Sequence, residues 1–251
     1  MLEVSDLTVE IQSSEILRGV SFKVAAGELV CLVGRNGAGK TTTLRAIMGY
    51  VVPRAGAIWF AGTDLRGKST LERARLGIGY SPEDSEVLGE LTVAENIELP
   101  TWTRRTEKSA HERIELAFQV FPNLRRYATR PGTHLSGGER KMLSIARTLA
   151  LDAKVLLLDE PFEGLSPAII PGIRQSVHEI VRLGRTVLIA ESELQHVPDY
   201  ADRIYVIEDG AVTETGRHED LLRRGGRYAS FYRLQLQTQE RRGSVAAAAS
   251  A

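Results

Sequence analysis

A chain of 251 residues, 43% of them hydrophobic, can bury a full α/β core with room for a smaller lobe beside it. Lys plus Arg and Asp plus Glu each number 32, so the formal net charge is zero, which weighs against the basic surface of a nucleic-acid binder. The opening Met1-Leu2-Glu3-Val4-Ser5-Asp6 lacks the basic start and apolar run of a signal peptide, and no apolar run approaches the roughly 20 residues that span a bilayer. Any membrane role is therefore expected to come through a partner.

In chain order, Leu7–Ile11, Val20–Val24 and Glu28–Val33 read as strands, with a turn at Gly27 before the third. The third is apolar throughout, as burial on both faces requires. It contains Cys31, the single cysteine, expected as a small buried residue in a reducing cytosol. It runs straight into Gly34-Arg35-Asn36-Gly37-Ala38-Gly39-Lys40-Thr41-Thr42. A helix over 42–50 follows, with Leu44, Ile47 and Met48 on one side, and then a strand at Ala57–Phe60. From about 88 to 150 the pattern turns helical, and Ile114, Ala117, Phe118 and Phe121 recur at helical spacing as a core stripe. Val155–Leu158 and Thr186–Ala190 read as short buried strands separated by a helix over about 168–183. This alternation predicts a parallel sheet with its ligand at the carboxyl ends of the strands. Residues 1–240 are expected as one domain with a helical subdomain at about 88–150, and 241–251 as a flexible low-complexity tail.

Three motifs carry chemistry. Residues 34–41 have the spacing of a phosphate-binding P-loop. Gly34, Gly37 and Gly39 let the backbone turn tightly, and the loop from Gly34 through Asn36 and Ala38 to Thr42 points N–H groups at phosphate oxygens. Lys40 can reach the β- and γ-phosphates, and the Thr41 hydroxyl is placed for Mg²⁺. Asp159 ends an apolar strand, so its carboxylate emerges beside the phosphate loop, where it can hold Mg²⁺. Glu160, the next residue, suits a general base for an attacking water. The third motif, Leu135-Ser136-Gly137-Gly138-Glu139, opens a helix whose inner side holds Met142, Ile145, Ala146 and Leu149. Its bland reading is a helix N-cap. Its functional reading is a second anion site that would complete a γ-phosphate cage only on a second subunit.

These motifs, over residues 1 to about 215, resemble the ATP-binding subunits of ABC transporters. Gly79-Tyr80-Ser81-Pro82-Glu83-Asp84, Leu91–Asn96, Phe121–Leu124 and Glu160-Pro161-Phe162-Glu163-Gly164-Leu165-Ser166-Pro167 make the chain most similar to the second ATPase of branched-chain amino-acid (and related urea) importers. The resemblance implies an ABC-type P-loop fold: a parallel-sheet core with an antiparallel β subdomain and a helical subdomain. It implies an ATPase using ATP and Mg²⁺ on the cytoplasmic face of the membrane. It also implies a second ATPase subunit (a heterodimer) or a homodimer, two permease subunits and an extracytoplasmic solute-binding protein. Gly34–Thr42 becomes Walker A, Leu135–Glu139 the signature and Val155–Glu160 Walker B. Glu83 falls at the Q-loop position, where it can contact Mg²⁺.

The chain departs from the family pattern at four places. Ile11 stands where an aromatic stacks on adenine, implying weaker ATP affinity, and Ser192 stands at the switch position usually held by histidine, implying a slow site. His196, one helical turn on, is a conceivable substitute at the switch, against the reading of an ordinary surface histidine. The D-loop aspartate is replaced near Ser166, and residues 216–228 resemble the tail of exporters. Two other function classes compete with transport. A soluble ABC protein acting on ribosomes or DNA would carry two cassettes or basic insertions, and a nucleotide-gated regulatory module would bind ATP with little turnover.

Overall fold

The structure is a computed structural model and describes residues 1–237; the expected tail at 241–251 lies outside the described residues. The strands are β1 (Leu2–Ile11), β2 (Ser14–Val24), β3 (Leu29–Val33), β4 (Ala55–Phe60), β5 (Thr63–Asp64), β6 (Ile78–Ser81), β7 (Val155–Asp159), β8 (Thr186–Glu191), β9 (Arg203–Glu208) and β10 (Ala211–Gly216). The helices are α1 (Lys40–Met48), α2 (Thr70–Leu76), α3 (Val93–Glu98), α4 (Ala110–Val120), α5 (Pro122–Arg125), α6 (Gly137–Ala150), α7 (Ile170–Arg182) and α8 (His218–Arg224). A further helical stretch covers 227–237.

Two sheets organise these elements. The larger has the order β10-β9-β3-β8-β7-β6, parallel from β9 to β6 and closed at one edge by antiparallel β10. Every residue of β3, β7 and β8 is buried, which is why their sequences are continuous apolar runs rather than alternating ones. The smaller sheet, β2-β1-β4-β5, is antiparallel. Between β6 and β7 the chain passes through α3 to α6, with Ala117, Phe118, Phe121, Met142, Ile145 and Leu149 buried at its centre. Together these are the parallel core, antiparallel layer and helical layer of an ABC-type P-loop fold.

The carboxyl ends of β3, β7 and β8 lie side by side, with Val33 opposite Glu191 and Asp159 opposite Ala190. That register gathers residues 34, 160 and 192 at one sheet edge. Cys31 sits at the middle of β3, fully buried, as expected.

Candidate active site

The loop after β3 is pinned before it reaches the helix. Gly34 N–H donates to the Glu191 carbonyl at the end of β8 (3.2 Å). A Cβ at Gly34 would strike the Ile207 carbonyl, so no larger residue fits there. Gly37 and Gly39 have φ of 82° and 107°, left-handed values that glycine alone adopts freely. α1 then starts at Lys40 with no side chain capping it and no acidic residue in its first turn, leaving its N–H groups and positive dipole end for an anion.

Lys40 and Glu160, both buried, and half-buried Ser192 form one chain of contacts. The Lys40 ammonium donates to the carbonyls of Gly34 (2.9 Å) and Arg35 (3.2 Å) and pairs with Glu160 Oε1 at 3.1 Å. On the other oxygen of Glu160, Ser192 donates twice: its backbone N–H at 3.0 Å and its hydroxyl at 3.1 Å. Glu160 itself has φ 45°, strain that its N–H bond to the Ala190 carbonyl (3.0 Å) helps hold in place. Beside it, Asp159 accepts from the Thr41 hydroxyl (3.0 Å) and from the Tyr80 phenol (2.9 Å), one on each carboxylate oxygen.

A cavity of about 650 Å³ opens over this loop, lined among others by Ile11, Asn36, Lys40, Thr41, Glu83 and Glu163. Gly37, Gly39, Thr42 and Glu160 also line it. Burial raises the Asp159 carboxyl above its usual range, and the charges of Glu160 and Glu83 add to this against the lowering effect of its two hydrogen bonds. Burial likewise raises Glu163, with Glu160 and Glu83 again adding to the shift. Hard carboxylate and hydroxyl oxygens crowded beside a helix N-terminus suit Mg²⁺, which would be held by Thr41 and Asp159 with Glu83 on the cavity rim. The donor set therefore fits the ATP and Mg²⁺ expected from the motifs.

The signature motif lies apart from this cavity. Ser136, Gly137, Gly138 and Glu139 do not line this cavity. Ser136 is the N-cap of α6: it accepts from Glu139 N–H at 3.3 Å, while the Glu139 carboxylate accepts from Ser136 N–H at 2.8 Å. The same reciprocal cap occurs at Ser69/Glu72, Thr92/Glu95 and Ser109/Glu112, so the cap alone does not mark a ligand site. Ser136 and Gly137 are exposed, while Gly138 packs beneath Ile169.

His196 corrects an expectation. It is not a surface histidine: it is buried against Phe162, with Nδ1 3.6 Å from Glu191 Oε2 and Nε2 3.7 Å from Glu193 Oε2. The turn at Leu194–His196 folds the side chain inward, and it does not line the nucleotide cavity. The sequence reading also missed the roles of Tyr80 and Glu163. Both lie inside motifs quoted for the family resemblance, but only the tertiary structure brings Tyr80 onto Asp159.

A model of the family described as ABC transporter matches residues 17–163. The chain is 34% identical over 224 residues to the lipopolysaccharide export system ATP-binding protein LptB of Acidithiobacillus ferridurans, covering 88% of this chain and 92% of that protein. It is 36% identical over 214 residues to the high-affinity branched-chain amino acid transport ATP-binding protein BraG of Pseudomonas aeruginosa, covering 84% and 91%. The crystal structure of the ADP conformation of MJ1267, an ATP-binding cassette of an ABC transporter, matches with a TM-score of 0.79 and 27% identity over 92% of this chain and 98% of that one. The chain belongs to the ABC transporter family. Within it, the fold is that of the ATP-hydrolysing cassette, with ATP as substrate and Mg²⁺ as its partner ion.

Proposed function

We propose that this subunit drives import of a branched-chain or related amino acid, with urea as the related alternative solute. The observation that carries this reading is Glu83 on the rim of the nucleotide cavity together with Glu163. A carboxylate at the Q-loop position and the run Glu160–Pro167 are the features by which the chain resembles the second ATPase of such importers. The similarity to BraG supports the same reading. The subunit would sit at the cytoplasmic face of the membrane on two permease subunits, fed by an extracytoplasmic solute-binding protein. Its partner ATPase would be a paired subunit or a second copy.

In this reading Gly34, Asn36, Gly37, Ala38, Gly39 and Thr42 wrap the phosphates, and Lys40 draws charge from the γ-phosphate. Mg²⁺, when bound, neutralises phosphate charge from the side of Thr41, Asp159 and Glu83. Glu160 accepts the proton of the attacking water. Ser192 orients Glu160 through its two hydrogen bonds but cannot bring the positive charge of an imidazole to the γ-phosphate. Ser136, Gly137, Gly138 and Glu139 serve the ATP bound by the partner subunit.

Two observations favour other readings. Similarity to LptB supports export of a larger amphiphile. Ile11 at the base position and Ser192 at the switch support a nucleotide-gated subunit with slow turnover. Proteoliposomes holding the chain and its permease subunits distinguish them. ATP-dependent uptake of labelled leucine that disappears with Glu160→Gln supports import. ATP-dependent extraction of lipopolysaccharide without uptake overturns it, and nucleotide binding without turnover favours the regulatory subunit.

A further inference from the structure

The terminal helical stretch 227–237 lies across the back of the phosphate site. Its start is fixed where the Glu214 carboxylate of β10 accepts from the backbone N–H groups of Arg227 (2.6 Å) and Tyr228 (3.2 Å). Tyr228 is fully buried, and its hydroxyl lies 2.7 Å from His218 Nδ1. One helical turn on, the Phe231 ring lies under the Arg35 guanidinium of the phosphate loop, 5.9 Å from the ring centroid. At the far end Gln235 reaches the segment after β8. Its Oε1 accepts from Leu194 N–H at 2.7 Å, and its Nε2 donates to the Ser192 carbonyl at 2.8 Å.

Both amide atoms of one side chain thus hold a three-residue segment whose first residue contacts Glu160. The peptide unit after Ser192 is fixed by Gln235, and Ser192 N–H and Oγ are presented to Glu160 Oε2 from the other side. Without Gln235, the Ser192 carbonyl and Leu194 N–H lose these partners and turn towards other ones, taking the Ser192 donors with them. Orientation errors of this size matter because a general base must lie within hydrogen-bond reach of the proton it takes.

We propose that Gln235 is a positioning residue for ATP hydrolysis, holding the switch segment so that Ser192 aims Glu160. Gln235 thereby acts on hydrolysis from outside the nucleotide cavity, whose lining does not include it. This proposal rests on the reading of Glu160 as the base.

The test compares steady-state ATP hydrolysis by the full chain in its membrane complex with Gln235→Leu, Gln235→Glu, Leu236→Ala and Glu160→Gln. Gln235→Leu removes both contacts. Gln235→Glu keeps the acceptor for Leu194 N–H but sets a carboxylate against the Ser192 carbonyl. Leu236 is 40% exposed on the same helix and controls for disturbance of the helix itself. The expected result is a fall in kcat of about five- to twentyfold for Gln235→Leu, the size of one or two hydrogen bonds. A smaller fall is expected for Gln235→Glu, with the KM for ATP within about twofold throughout and Leu236→Ala at the parental rate. Binding of a fluorescent ATP analogue reports that each variant is folded, and Gln235→Glu decides if Gln235→Leu does not bind. Parental kcat in both Gln235 variants overturns the proposal, as does a loss of kcat that tracks loss of thermal stability in Leu236→Ala as well. If Glu160→Gln retains parental turnover, the reading of the base fails instead, whatever Gln235 does.

Discussion

Replacing Glu160 with glutamine tests the chemistry and the packing of the site together. The side chain keeps its size but exchanges one acceptor oxygen for a donor NH₂. In the native site Oε1 faces the Lys40 ammonium at 3.1 Å and Oε2 faces the Ser192 N–H at 3.0 Å, with both ion-pair side chains about 5% exposed or less. Either rotamer of the amide therefore sets donor against donor, on Lys40 or on the Ser192 backbone. Leaving one buried donor unsatisfied costs about 1–3 kcal/mol. Lys40 keeps its carbonyl partners Gly34 and Arg35, which holds the cost below that of an isolated buried charge. At about 2–4 °C per kcal/mol for a chain of this length, the nucleotide-free midpoint falls by about 2–12 °C. Loss of the base lowers kcat by about 10²–10⁴-fold. Phosphate release under saturating Mg-ATP and a thermal melt without nucleotide read the two effects separately. Turnover within about threefold of the parent refutes the assignment of the base, and an unchanged melt refutes the buried pair.

Three further outcomes follow from neighbouring contacts. Ser192→His restores an imidazole at the switch and raises the turnover of the chain several-fold; an unchanged or lower rate shows that serine is not what limits the site. Tyr80→Phe removes the 2.9 Å hydrogen bond to Asp159 and raises the Mg²⁺ concentration for half-maximal activity about tenfold, the usual scale for a residue that orients a metal ligand. A Mg²⁺ titration identical to the parent's would show that this bond does not orient Asp159. The third concerns Glu191, which is fully buried with neither oxygen hydrogen-bonded. Burial raises its carboxyl from 4.5 to about 7, with the His196 ring 3.6 Å away opposing and the Glu160 charge adding. Burial disfavours charged His196, but Glu191 and Glu193 outweigh it and leave its pKa raised. Native protonation is then tighter than unfolded, so this stability is complete below pH 4.5 and lost as pH rises through about 7. Glu191→Gln should flatten the fall in thermal midpoint between pH 5 and pH 8, and parallel profiles would remove Glu191 as its source.

The glycine loop and the acidic pair at the end of β7 are the most legible part of this molecule. A fully buried parallel strand, a glycine loop and a helix must follow one another in sequence, so β3, the loop and α1 could be read locally, as could Asp159 and Glu160 at the end of β7. β1 was read only from Leu7, because Asp6 takes φ 49° and the register with β2 shifts between Val4 and Leu7, breaking the alternation that reveals a strand. β6 escaped for another reason. It is four residues long, and its Gly79 is needed because a Cβ there would come within 2.5 Å of the Thr148 side chain on α6, a constraint that exists only after folding. β9 and β10 were not read either, and the contacts of Gln235 with Ser192 and Leu194 span about forty residues of chain with no local pattern to announce them. The burial of His196 has no local signal in the sequence, and only the turn that points it at Phe162 shows it.

Cys31 gives the chain a practical property. The single thiol lies at the centre of the innermost strand, and burial pushes its pKa far above the usual range, with Glu191 adding to the shift. Such a thiol offers almost no thiolate to an alkylating probe. A cysteine introduced at an exposed position such as Val52, which is 85% exposed, would therefore be the one address that a maleimide dye or spin label finds. Paired with a label on the cassette it dimerises with, such a label would turn the approach and separation of the two into a distance that can be followed through a catalytic cycle, without first removing a native cysteine from this chain.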